Sequence, residues 1–257
     1  MIGIYKKETE NIPYLVIVSH DKELEALPTV IYSHGFTSAK EHNLPLAYLL
    51  AEKGFRVILP DSKFHGEREH ASSHLKRQLS FWDIVIQNIK ELQIIKDKLD
   101  EEGLILEQKI GLAGTSMGGI TTSAALTKYS WINTAAILMG TPKLTDYANL
   151  LVENVVKTEK LPIPEKEINH LMNQIKTYDL SLQMEKLKQR PLLFWHGEKD
   201  SVVPFDLSYT FYKEAKKQYK NRDDIKFIKE KDRDHKVSRF AIIETVNWFE
   251  SQLNGNK

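Results

Sequence analysis

Short apolar runs alternate along the chain with longer stretches in which apolar residues recur every three or four positions. The short runs in the middle of the chain are continuously apolar and bounded by glycine or proline, which is typical of strands covered on both faces of a parallel sheet. The first two runs predict an opening hairpin. The predicted strands are residues 2–5, 14–18, 29–33, 55–59, 109–113, 135–139, 192–195 and 225–228.

The longer stretches predict helices that cover this sheet. In the most regular one, Phe81, Val85 and Ile89 recur at helical spacing, and Ser80 with Asp83 predicts a capping box at its start. Alternation of strands and helices favours right-handed crossovers and a doubly wound α/β domain of eight strands. The predicted helices are residues 44–53, 80–99, a helix after Ser116 that includes 124–126, 207–217 and 238–253.

One stretch breaks the alternation of strands and helices. Residues 142–190 contain no convincing strand and two or three helical patterns. We therefore expect a core domain of residues 1–141 and 191–257, with 142–190 inserted as a small helical cap that shapes a pocket at the carboxyl ends of the strands. The alternative is a set of surface helices without such a role.

Composition narrows the possible partners. The 257 residues carry a net charge of +1 with no long block of like charge, so neither nucleic acid nor a membrane surface is an expected partner. There is no cysteine, which excludes disulfides and thiolate chemistry. No signal peptide or membrane span is predicted, so we expect a cytoplasmic protein, with a homodimer possible.

The sequence Gly114-Thr115-Ser116-Met117-Gly118 matches the pattern G-x-S-x-G between a predicted strand and a predicted helix. This context is typical of a nucleophile elbow, a sharp turn that projects the serine hydroxyl. Small residues are required two positions on either side of Ser116, because larger side chains would collide with the neighbouring strand and helix. An ordinary glycine-rich turn is the alternative.

A serine hydroxyl needs a general base, and the base needs an acid that orients it. In the elbow fold these follow the serine in the order acid, then histidine. His235 lies in a loop just before the last predicted helix, and Asp200 follows the strand that ends at Trp195, so these are the best candidates. The weaker candidates are His170 and His196 as base, and Asp206, Asp232 and Asp234 as acid.

Two loops complete the predicted site. Backbone N–H groups of Phe36, after the strand 29–33, and of Met117 are predicted to form an oxyanion hole, with His34 and Gly35 beside the substrate. His34 is also expected to brace its loop. Phe64 is a candidate pocket residue in an otherwise charged stretch, 63–77, which predicts a solvated loop. No set of residues predicts a metal site or a cofactor.

These motifs, HGF, GTSMGG, GEKDSVVP and DHKV, occur in the order found in the α/β-hydrolase superfamily, which the chain resembles over nearly its whole length. The segment DSKFHGERE and the helical insertion are similar to those of small bacterial carboxylesterases related to the dienelactone hydrolase and prolyl oligopeptidase-like group. The resemblance implies Ser116 as nucleophile, Asp200 as acid, His235 as base, and Phe36 and Met117 as oxyanion donors.

We therefore predict a serine hydrolase that cleaves small carboxylic esters through an acyl-enzyme on Ser116. The residues alone leave open a thioesterase, an amidase or peptidase with the same three residues, and a non-catalytic binding protein with the hydrolase fold. Dienelactone hydrolases use a cysteine nucleophile, which this chain lacks. Prolyl oligopeptidases carry a large additional domain, which we do not expect within these 257 residues, and this weakens the peptidase interpretation.

Overall fold

The computed structural model describes residues 1–69, 74–158 and 164–254. Eight strands form one sheet in the order β1-β2-β4-β3-β5-β6-β7-β8, in which β1 and β2 pair antiparallel and every neighbouring pair from β4 to β8 is parallel. The predicted fold class, a mostly parallel eight-stranded α/β sheet, is confirmed. The strands are β1 Ile2–Thr9, β2 Ile12–Ser19, β3 Leu27–Ser33, β4 Arg56–Pro60, β5 Ile105–Thr115, β6 Thr134–Leu138, β7 Leu192–Gly197 and β8 Ile225–Glu230.

Helices follow most of the strands. The predicted helices are present with bounds shifted by a few residues, and none in the described residues is long and apolar enough to cross a membrane. The capping box is wrong, because the Ser80 side chain makes no hydrogen bond to the helix it precedes. The helices are α1 Leu44–Glu52, α2 His74–Leu79, α3 Phe81–Glu101, α4 Met117–Lys128, α5 Leu144–Thr158, α6 Glu165–Lys176, α7 Phe205–Lys216 and α8 Arg239–Phe249.

Both faces of the sheet are buried, as the continuous apolar strands predict. On β3, Ile31 joins a cluster with residues of α3, α4 and α7, whereas its neighbour Val30 joins a cluster with residues of α1 and α8. Successive side chains of a strand point to opposite faces, so the two clusters form two cores on either side of the sheet. These cores hold the carboxyl ends of β3, β5, β7 and β8 at one edge.

The described residues of 142–190 pack beside α3 and α4. Tyr147 on α5 and Ile175 on α6 belong to a third apolar cluster with Trp82 and Ile120. Residues 159–163, between α5 and α6, lie outside the described residues. The division of the chain into a core and a cap stays a prediction.

The segment after β4 is the predicted solvated loop only in part, because within 63–77 His65 is buried and α2 begins at His74. Asp61 is fully buried, where its carboxylate accepts from the Lys40 ammonium at 2.5 Å and from the backbone N–H groups of Lys40 and Glu67. Lys40 is only 1% exposed and also contacts Glu41 and Glu67. Buried charges are retained only when they are paired, so this cluster ties the loop after β3 to the loop after β4. Residues 70–73 lie outside the described residues.

We predict that Asp61→Asn lowers the free energy of unfolding by about 3 kcal/mol, because it leaves the buried Lys40 ammonium without its closest carboxylate. Urea unfolding measures this loss. Glu41→Gln is the matched control, since Glu41 is exposed and its removal should cost less than about 1 kcal/mol. Equal losses in the two variants would contradict the assignment of Asp61 as the main partner.

Candidate active site

Ser116 lies at the junction of β5 and α4 with a backbone conformation that side-chain-bearing residues rarely adopt, φ 54° and ψ −114°. Its N–H donates to Leu138 O on the neighbouring strand at 2.9 Å. The turn requires glycine on both sides: a Cβ on Gly114 would lie 2.3 Å from the Gly118 carbonyl carbon, and a Cβ on Gly118 would lie 2.0 Å from Ser33 O. The steric reason given for the small residues of G-x-S-x-G is therefore confirmed.

The structure brings Ser116, His235 and Asp200 into one hydrogen-bonded line. His235 Nε2 lies 2.9 Å from Ser116 Oγ, and His235 Nδ1 lies 2.7 Å from Asp200 Oδ2. A carboxylate at Nδ1 fixes the tautomer in which Nδ1 carries the proton and Nε2 is free to accept one from the serine. The Asp200 side chain is fully buried and that of His235 is 19% exposed, so the line runs from the interior to the surface.

Asp200 is held as an anion by four donors. Its Oδ1 accepts from the backbone N–H groups of Val202 and Val203 at 2.9 and 3.0 Å. Its Oδ2 accepts from His235 and from His196 Nε2, the latter at 3.0 Å. Burial by itself raises the pKa of Asp200, but the hydrogen bonds from His196, His235 and Val203 hold it well below its ordinary value. Asp200 is therefore ionised throughout the neutral pH range.

The loop that carries His235 is fixed at both ends. At its start, Glu230 accepts from the Trp195 indole and from the Ser238 hydroxyl. At its end, Ser238 caps α8 by accepting from the Ala241 N–H at 3.0 Å. A Cβ on Gly197 would lie 2.5 Å from Arg233 O, so glycine there lets the loop after β7 approach the loop after β8. This close approach brings Asp200 within reach of His235.

The loop after β3 passes directly over Ser116, since a Cβ on Gly35 would lie 3.6 Å from Ser116 Cβ. His34 Nδ1 donates to the Gly35 carbonyl oxygen at 2.7 Å, and Nε2 accepts from the Ser62 N–H at 3.0 Å. The Gly35 carbonyl belongs to the same peptide unit as the Phe36 N–H, and in a trans peptide the two point in opposite directions. His34 thus fixes the orientation of the predicted donor Phe36.

The second predicted donor, Met117, is the first residue of α4. A first-turn N–H has no partner within its helix and lies at the positive end of the helix dipole, a setting that favours an anion. Sequence reasoning missed the further support behind the first donor, where Asn88 on α3 donates to the Ser62 hydroxyl at 3.0 Å. The only signal was the polar Asn88 on the apolar face of α3.

A cavity of about 580 Å³ opens beside Ser116 and His235. Its walls come from the loop after β3, the start of α1, Met139 after β6, and residues 236–242; Tyr32 and Thr115, which share a hydrogen bond, lie at its buried end. The side chains of exposed His42 and Lys236 contribute to its rim. Its apolar lining includes Leu46, Met139, Val237 and Ile242.

Other predicted contacts lie elsewhere. Gly35 lines the cavity, but His34 is fully buried behind it and Phe64 lines a separate cavity with Glu8 and Asn11. No described residue of 142–190 lines the cavity beside Ser116, and the role of this segment as a cap stays a prediction. Its link to the site is instead the Tyr147 hydroxyl, which donates to Val202 O in the loop of Asp200 at 3.3 Å.

Comparison with known proteins gives the family. A profile of the prolyl oligopeptidase family matches residues 45–255. The chain is 46% identical to "Putative esterase YitV" of Bacillus subtilis, in an alignment that covers 98% of this chain and all of that protein. It is 31% identical to "Esterase YjfP" of Escherichia coli, in an alignment that covers 81% of this chain and 82% of that protein. TT1662 from Thermus thermophilus, at 18% identity and full coverage of both chains, has the same fold with a TM-score of 0.74. The chain belongs to the prolyl oligopeptidase family of hydrolases, as its resemblance implies.

The burial of His34 predicts a pH-dependent contribution to stability. Burial lowers the pKa of His34 from 6.5 to about 4, and the hydrogen bond to the Gly35 carbonyl acts against this shift without reversing it. The unfolded chain binds this proton below about pH 6.5 and the folded chain does not, so stability falls by up to about 3 kcal/mol as the pH drops from 6.5 to 4. Urea unfolding across this range should show a shallower dependence for His34→Gln than for the wild type.

The matched control is His170→Gln, because His170 is exposed on α6. This variant should retain the full pH dependence of the wild type. If His34→Gln and His170→Gln lose stability with equal slopes between pH 6.5 and 4, then His34 is not held neutral by the loop.

Proposed function

We propose that this hydrolase is a carboxylesterase that forms an acyl-enzyme on Ser116. The observation that carries the proposal is the unbroken hydrogen-bonded line from Asp200 through His235 to the hydroxyl of a serine held in a strained turn. The strain is the kind of backbone feature that accumulates at functional sites, because the surrounding structure must over-determine it. The esterase names of two relatives support the same substrate class.

In the proposed first half-reaction, His235 Nε2 takes the proton of Ser116 as Oγ bonds to the ester carbonyl carbon. The carbonyl oxygen becomes an oxyanion that accepts hydrogen bonds from the backbone N–H groups of Phe36 and Met117. Each such donor is worth on the order of 3 kcal/mol of transition-state stabilisation in enzymes where it has been removed. The carbon–oxygen bond to the alcohol then breaks, and His235 gives its proton to the departing alcohol.

In the second half-reaction, His235 takes a proton from water, whose oxygen attacks the acyl carbon. Collapse of the second tetrahedral intermediate breaks the bond to Ser116 Oγ, which recovers its proton from His235. Asp200 stays ionised throughout and stabilises the imidazolium formed in each half, a role supported by the direction of its pKa. The reaction consumes one water and releases one acid and one alcohol.

The cavity supports substrates of small to medium size. Its volume of about 580 Å³ lies within the usual range for small-molecule sites, and its walls are largely apolar. The three residues do not by themselves choose the leaving group, so ester preference over thioesters and amides rests on the relatives' names. Comparison of matched ester, thioester and amide substrates with one acyl group tests that preference.

We predict that Ser116→Ala lowers kcat for 4-nitrophenyl acetate by about 10⁴-fold or more, because no other group can carry the acyl chain. The same substitution should abolish labelling by a fluorophosphonate. Ser251→Ala, which changes an exposed serine after α8, is the matched control and should keep wild-type activity. Turnover by Ser116→Ala at more than a tenth of the wild-type rate would overturn the assignment of the nucleophile.

A further inference from the structure

A second histidine contacts the carboxylate of Asp200. His196 lies at the end of β7, four residues before Asp200, and its side chain is 1% exposed. Chain order argues against His196 as the base for Ser116. Its contact with the carboxylate of Asp200 instead points to a role in positioning that residue.

The ring nitrogen Nε2 of His196 has two acceptors and no donor beside it. It lies 2.9 Å from Val203 O and 3.0 Å from Asp200 Oδ2. Nε2 therefore carries the proton, and His196 donates it to both oxygens. Oδ2 is the oxygen that also accepts from His235 Nδ1, at 2.7 Å, so two imidazole N–H groups share one carboxylate oxygen.

The remaining surroundings of Asp200 supply no cation. Within the described residues, no lysine or arginine forms a salt bridge with Asp200. The groups that face it are His196 from β7, His235 from the loop after β8, the N–H groups of Val202 and Val203, and the hydroxyl of Tyr147 from α5. The charge of Asp200 is thus balanced by hydrogen-bond donors alone, and His196 is one of the two donors on the oxygen that faces the base.

We propose that His196 is a positioning residue that holds Asp200 Oδ2 toward His235 and limits the basicity of that oxygen. This inference rests on the proposed function of Ser116, His235 and Asp200. The positive end of the His196 N–H lies beside Oδ2 and reduces the negative charge that Oδ2 presents to His235. In this way His196 limits how strongly Oδ2 can stabilise the imidazolium of His235. It does not exchange its own proton in the reaction.

Removal of His196 should therefore change the pH dependence of the reaction as well as its rate. Without the second donor, Oδ2 is more basic and stabilises the imidazolium of His235 more strongly. The base then stays protonated up to a higher pH. A residue that only filled space behind Asp200 would change the rate by one factor at every pH.

The test is the pH profile of kcat/KM for 4-nitrophenyl acetate between pH 5 and 9. His196→Leu, which has no donor, should move the acid limb upward by about one pH unit. His196→Gln, whose amide N–H can reach Oδ2, should return the limb close to its wild-type position. His170→Leu is the matched control on an exposed helix face and should leave the profile unchanged. If His196→Leu does not fold, His196→Asn replaces it, because its shorter side chain does not reach Oδ2.

A second measurement does not depend on turnover. The proton between His235 Nδ1 and Asp200 gives a downfield resonance in the proton NMR spectrum, which should move further downfield in His196→Leu and return in His196→Gln. An unmoved acid limb and an unmoved resonance in His196→Leu would overturn the proposal. Absence of any Ser116-dependent ester hydrolysis in the wild-type protein would instead overturn the proposed function, and the resonance would still report on His196.

Discussion

The whole site depends on the close approach of backbone around Ser116. The strained conformation of this residue, at φ 54° and ψ −114°, costs on the order of 1–3 kcal/mol and persists only because the chain on either side over-determines it. Gly118 packs against Ser33 O with no room for a Cβ, which locks the start of α4 onto the end of β3. The loop that follows Ser33 then passes close to Ser116, since a Cβ on Gly35 would lie 3.6 Å from Ser116 Cβ.

Buried polar clusters fix the positions of the loops around the elbow. The loop after β3 is held through Lys40 to Asp61 and through His34 to Ser62, and the acid loop is held through the four donors on Asp200. A buried polar group without a partner costs 1–3 kcal/mol, so each of these clusters penalises any loop position that breaks it. The parallel sheet fixes where the loops begin, and the polar clusters fix where they end.

The apolar pattern predicts the sheet well, because the central strands contain short, continuous apolar runs bounded by glycine or proline. The G-x-S-x-G motif between a strand and a helix predicts the elbow. Chain order and position after a strand predict the loops of Asp200 and His235. The apolar pattern could not predict that Asp61 is buried on Lys40, that Phe64 lies in a different cavity, or that the described residues of 142–190 do not line the cavity beside Ser116. Those facts depend on packing between elements far apart in the chain. His196 shows the same limit, because chain order argues against it as base and only the three-dimensional contact reveals its partner.

The most direct measurement of the central claim is the mass of the intermediate. Protein mixed with 4-nitrophenyl acetate and quenched in acid within the first turnovers should carry one acetyl group, and digestion should place it on Ser116. A protein that hydrolyses the ester with no covalent adduct, or with the acetyl group on any other residue, would contradict the account of Ser116 as the nucleophile.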